Sequence, residues 1–103
     1  MHNIIFITAS KNEEAENIAK GLIESKLAAC VNIVPGVKSY FWWEGKIDRA
    51  DELLLIVKTR KSLVNKLIKK VKSLHSYTVP EIVVFPIIAG NKDYLRWIDD
   101  STR

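Results

Sequence analysis

Two long strand-like runs joined by a tight turn constrain this chain most. The first run is "LAACVNIVPGVKSYFWW", Leu27 to Trp43, and the return run is "KIDRADELLLIVKTR", Lys46 to Arg60. As a strand, at roughly 3.3 Å per residue, the first run spans on the order of 50 Å. A chain of 103 residues is expected to make one domain, residues 1–103, with a radius of gyration of only about 13 Å. The strand must therefore bend, project, or both. Pro35-Gly36 is the natural bend, because proline inside a strand marks an edge or a bulge. Glu44-Gly45 resembles the Asp-Gly signal of a two-residue hairpin. Such a turn pairs Trp43 with Lys46, Trp42 with Ile47, Tyr40 with Arg49 and Lys38 with Asp51. The last is an opposite-charge cross-strand pair, which supports the register.

The remaining elements fall around this hairpin. Residues 3–8, "NIIFIT", read as a buried first strand. Ser10 with Glu13 fits a capping box, so a helix is predicted from there, burying Ala15, Ile18, Ala19, Leu22 and Ile23. "KSLVNKLIKKVKSLH" predicts a second helix with Leu63, Leu67, Val71 and Leu74 inward, flanked by Val64 and Ile68. Pro80 starts an extended segment, and "EIVVFPII" reads as a last strand, at an edge because of Pro86. Gly90-Asn91 turns into a short final helix that presents Tyr94, Leu95, Trp97 and Ile98. The order is β-α-β-β-α-β plus an extra helix. That is an α+β, ferredoxin-like sandwich, with helices on one face of a mainly antiparallel sheet.

In such a fold the other face should be polar, yet residues 28–34, 53–57 and 82–88 are apolar at both parities. Beyond the bend, Phe41 and Trp43 point one way, Tyr40 and Trp42 the other. Each aromatic side chain can bury on the order of 150–250 Å². Four of them on a projecting arm exceed the exposed patch that monomers tolerate. Another copy of the chain is the economical cover, so a homo-oligomer closed by cyclic symmetry is expected. The competing possibility is a compact monomer whose arm folds back over its own open face.

Enzyme chemistry has little to work with. The chain has one cysteine, Cys30, in the apolar run "AACVNIV", and two histidines, His2 and His75. A free cysteine there behaves as a small hydrophobe. No glycine-rich phosphate loop, GxSxG or HExxH pattern is present. No enzymatic activity is expected, and no internal disulfide can form. "HSYTVPE" places His75, Tyr77 and Glu81 close together. Imidazole with carboxylate suits divalent transition metals, though His75 at a helix end can equally bond a final carbonyl. The net charge of +4 is concentrated between Arg60 and Lys72, with six basic residues and no acid. Those lysines lie on the solvent side of an amphipathic helix, and the central run "LLLIVKTR" lacks the basic-Gly-aromatic stretch of RNA-binding sheets. Nucleic-acid binding through 60–72 is the least favoured alternative. With no apolar run long enough to span a bilayer and no signal sequence, a cytoplasmic protein without membrane partners is expected.

"KLAACVNIVPGVKSYFWWEGKI" and "HSYTVPEIVVFPIIAGNKDYLRWI" together resemble the CutA family, the divalent-cation tolerance proteins. The resemblance runs from Thr8 to Trp97. It implies a ferredoxin-like subunit in a tight homotrimer, similar in shape to PII-type signalling proteins, with no established enzymatic reaction. It also implies a role in the response to metal ions, with copper, zinc or another divalent cation as the possible bound ion. Ligands proposed in bacterial members include a Cys late in strand one and a His-His pair. Those positions here are Ile7 and Leu74, and His75 alone is retained, with Glu81 nearby. The expected metal residues are thus His75 and Glu81. Tyr40, Phe41, Trp42, Trp43 and Tyr77 are expected to line subunit interfaces or inter-subunit clefts. The alternative is a PII-like small-molecule or signalling trimer without metal chemistry.

Overall fold

The computed structural model describes residues 1–103. Four strands and three helices follow in order: β1 (His2–Ala9), α1 (Asn12–Glu24), β2 (Cys30–Trp43), β3 (Lys46–Arg60), α2 (Val64–Leu74), β4 (Ile82–Ile87) and α3 (Lys92–Ser101). A single 3-10 turn, Lys61–Leu63, leads into α2. The sheet order is β2-β3-β1-β4, and every pairing is antiparallel. This is a small mixed α+β fold with the element order expected from the sequence. No helix is long and apolar enough to cross a membrane.

Side-chain parity sorts the sheet into two faces. Ile5, Ile7, Leu55 and Val57 lie on one face and are fully buried against Ala15, Ile18 and Leu22 of α1 and Leu67 and Val71 of α2. Fully burying each such aliphatic side chain is worth about 1.5–3 kcal/mol, so this layer holds the fold together. Asn3, on the same face, has an orphaned buried Oδ1. The opposite face carries Ile4, Phe6, Leu54, Ile56, Val83 and Phe85 by register. Phe6 and Phe85 meet edge to face at 4.8 Å, and Val83 and Phe85 stay exposed.

Three sequence expectations change. Helix α1 begins at Asn12, with Lys11 at the cap position and no side-chain cap bond. Ser10 therefore does not close a capping box. Strand β2 begins at Cys30, because Leu27 and Ala28 donate their N–H groups back to the Leu22 carbonyl as the helix unwinds through Lys26 at φ 59°. Thr59 holds this turn by donating its hydroxyl to the Leu27 carbonyl at 2.6 Å. Finally, the helices are not all on one face. His2 and Arg60 have the parity of Ile4, and they bond Asp99 and Thr102 at the end of α3. Helix α3 thus covers one end of the otherwise open face. Its Ile98 is fully buried there, apart from the main core.

Candidate functional site

The hairpin arm is built as the sequence predicts. Glu44 and Gly45 both take positive φ, 51° and 76°, the requirement of a type I′ turn whose twist matches the strands. All four predicted cross-strand pairs are present, Lys38 with Asp51 included. At the bend, Val34 pairs with Leu54 and Val37 with Glu52. Pro35 and Gly36 together therefore oppose Leu53 alone, which is a β-bulge. Gly36 supplies the left-handed backbone there, at φ 81°.

The bulge resets which residues share a face. Beyond it, Val37, Ser39, Phe41 and Trp43 stand opposite Glu52, Ala50, Asp48 and Lys46. Lys38, Tyr40 and Trp42 point to the other side, where Arg49 lies 5.7 Å over the Tyr40 ring. The arm does not fold back over the chain's own open face. Tyr40 is 69% exposed and Trp42 73%, and the molecule is drawn out to 45 × 25 × 23 Å.

The segment after α2 faces the base of this arm. His75 ends the helix with an extended backbone. Its Nδ1 accepts the Tyr77 N–H at 3.0 Å, so the ring proton sits on Nε2, which donates to the Thr8 carbonyl at 2.7 Å. Glu14 of α1 accepts from the Ser76 N–H at 2.6 Å and from its hydroxyl at 3.2 Å. These bonds aim Tyr77 across the end of β1, where its hydroxyl donates to Glu52 at 2.8 Å. Burial, reinforced by that bond and by the Glu52 charge, holds the Tyr77 phenol above its usual value of 10.0, while Ser10 pulls the other way.

Arm and segment enclose a cleft of about 970 Å³, lined by Phe41, Trp43, Asp48, Glu52, Tyr77 and Glu81 among others. Of the expected site residues, Tyr40, Phe41, Trp42, Trp43, Tyr77 and Glu81 all line it, and His75 does not. The fit of His75 to a resident metal ion is poor within one subunit. Both its nitrogens are already bonded, and nowhere do three His, Cys, Asp or Glu side chains gather around one point. Glu52 is the residue that sequence reasoning missed. Its signal was slight: an acid immediately before the apolar run "LLLIV". At the opposite end of β2, Cys30 lies 3.9 Å from the Lys58 ammonium, a neighbour that β-pairing brings in.

Fold and site define a small antiparallel-sheet protein with a projecting hairpin and a polar-floored aromatic cleft at its root. Comparison with known proteins gives the particular family. The chain belongs to the CutA1 divalent ion tolerance protein family, whose model matches residues 3–101. It is 56% identical over 101 residues to the divalent-cation tolerance protein CutA of Archaeoglobus fulgidus, covering 98% of each chain. It is 50% identical over 102 residues to the Thermus thermophilus protein of that name, covering 99% of each. A rice relative, the chloroplastic Protein CutA 1, is 48% identical over 100 residues; these are 97% of this chain and 56% of the rice protein. The solved structure of the Archaeoglobus fulgidus protein, described as periplasmic, superposes over the whole of both chains with a TM-score of 0.97 at 55% identity.

Proposed function

We propose that this divalent-cation tolerance protein works as a ferredoxin-like homotrimer that binds its ligand without chemically transforming it, in the cleft between the hairpin arm and residues 76–81. The observation that carries this reading is the arm itself. Tyr40, Trp42, Trp43 and Ile47 stand exposed at its tip, an apolar surface of the kind that marks an interaction site. Neighbouring subunits cover it in a closed ring, and the cleft at its root becomes an inter-subunit site. A copper or zinc ion entering that cleft meets the exposed carboxylate of Glu81. It takes His75 only by displacing one of two backbone bonds. Divalent cations are therefore exchangeable partners of the assembly rather than a structural centre of the subunit.

Sedimentation equilibrium in dilute solution tests the assembly, with a species of three chains expected. A single chain of 11.8 kDa would end the argument from the arm. Calorimetric titration with copper and zinc, on wild type and His75→Ala, tests the ion. Equal heats from both proteins remove His75 as a ligand and leave the carboxylates.

A further inference from the structure

Glu52 poses a problem that the fold alone does not solve. It is 7% exposed, and its only protein donor is the Tyr77 hydroxyl, on Oε2. No lysine, arginine or histidine pairs with it; the ion pairs of the subunit are His2–Asp99, Arg49–Asp51 and Arg103–Asp100. An unpaired carboxylate at that depth is costly unless something compensates it. Oε1 is not among the sealed orphan atoms and belongs to a residue that lines the cleft. It is therefore open to a ligand.

The surroundings define the chemistry of that ligand. Ser39, Phe41 and Trp43 share Glu52's face of the hairpin, and Asp48 joins them. Glu81 lines the same cleft. Two cations, Lys38 and Arg49, line the cleft as well; both have the opposite parity from Glu52, and Arg49 lies 3.5 Å from Asp51 and 5.7 Å over the Tyr40 ring. Of the charged groups in the lining, Asp48, Glu81, Lys38 and Arg49 are exposed to solvent and Glu52 alone is buried, so the one charge that water does not screen is negative. An amine whose ammonium meets Glu52 can lay its apolar part along the arm toward Phe41, four residues beyond Val37, the partner of Glu52, and about 13 Å away. A bare divalent ion is served less well. It wants several oxygens around one point, and the acids here form no such group. A volume of about 970 Å³ suits a small molecule.

We propose that this cleft binds a small organic cation, a protonated amine whose ammonium sits on Glu52 Oε1 and whose apolar part lies along the arm toward Phe41. The inference rests on the reading of the cleft as the ligand site and names the ligand class. Binding is directional. The ammonium donates to Glu52 while Tyr77 holds the carboxylate in place, and the apolar part of the amine lies along the arm.

The test is calorimetry and tryptophan fluorescence of the intact protein with benzylammonium chloride, against benzyl alcohol as the uncharged analogue of similar shape. The wild type is expected to bind the amine at least about tenfold more tightly than the alcohol. Glu52→Gln, which keeps the side-chain shape, should remove that preference. Phe41→Leu, at a half-exposed position, should weaken the amine severalfold while Glu52 keeps its charge. Equal binding of amine and alcohol to the wild type overturns the proposal without need of any variant. So does full amine binding by Glu52→Gln. A third overturning result is an assembly that loosens in Glu52→Gln while the wild type takes up no amine, since a neighbour's cationic side chain then fills the place. Sedimentation of the same samples separates the two readings. A trimer that ignores the amine sinks only the ligand, and a monomer that binds it sinks only the assembly.

Discussion

His75→Ala should destabilise the protein strongly in the complete absence of metal. The imidazole bridges two backbone groups, the Thr8 carbonyl at 2.7 Å and the Tyr77 N–H at 3.0 Å. Each bond contributes about 0.5–1.5 kcal/mol net, and orphaning a partly buried partner adds to the loss. The ring also packs 4.7 Å from that of Tyr77. Together these give a cost of roughly 2–3 kcal/mol. For a domain of this size that lowers Tm by on the order of 10 °C. The assay is thermal unfolding at one fixed protein concentration with a chelator present, because Tm of any self-associating chain depends on concentration. Amide exchange at Tyr77 should accelerate in the variant, since the N–H loses its acceptor. If His75 serves chiefly as a metal ligand, wild type and variant must instead melt together in chelator and separate only when copper or zinc is added. That pattern, or a loss below about 0.5 kcal/mol, refutes the argument from the two bonds.

Other perturbations follow from the same geometry. Gly36→Ala should cost about 1–2 kcal/mol in urea unfolding, because φ of 81° is strained for any residue with a Cβ. Glu44→Asn should stabilise by about 0.5–1 kcal/mol in the same assay, since Asn tolerates the left-handed backbone that Glu44 adopts at φ 51°. Tyr77 and Tyr94 both have phenols raised above 10.0, chiefly by burial. In the alkaline range the unfolded chain then loses protons that the folded one keeps, so their contribution is complete below pH 10 and falls as pH rises beyond it. Tyr77→Phe should flatten the decline of stability measured above pH 10.

The hairpin was legible because its determinants are local. Glu44-Gly45 sets the turn, Lys38 opposite Asp51 supports the register, and Pro35-Gly36 marks the bulge. The first residues of the long run misled because Leu27 and Ala28 are apolar and β-compatible, yet their N–H groups serve the unwinding end of α1. Ser10 misled in the same way: a capping pattern in sequence became a neighbour of the Tyr77 hydroxyl in space. Two apolar sides are written into "LLLIV", but the helix that covers the far end of the second side is not. Only the contacts of His2 with Asp99 and of Arg60 with Thr102 put α3 there. The site was half legible. Its aromatics announce themselves as an uncovered surface, whereas the partnership of Glu52 with Tyr77 joins residues 25 positions apart and leaves no periodic trace.

The bulge connects the two properties of the arm. Strand side chains alternate, so one added residue exchanges the faces of everything beyond it. Up to Val34, the odd-numbered residues of β2 lie on the helix-covered face, with Val31 opposite Val57 and Ile33 opposite Leu55. Past Pro35-Gly36 the odd-numbered residues stand instead with Glu52. Without the extra residue, Lys38 would share Glu52's face and neutralise it directly, and Tyr40 and Trp42 would take the places of Phe41 and Trp43. The observed chain gives Lys38 the opposite parity, paired with Asp51, and leaves the Glu52 carboxylate with the Tyr77 hydroxyl as its one protein donor. Tyr40 and Trp42, on the other face of the hairpin, are the most exposed of the four aromatics. A single inserted residue thus puts Phe41 and Trp43 on the face of Glu52 and turns Lys38, Tyr40 and Trp42 to the other.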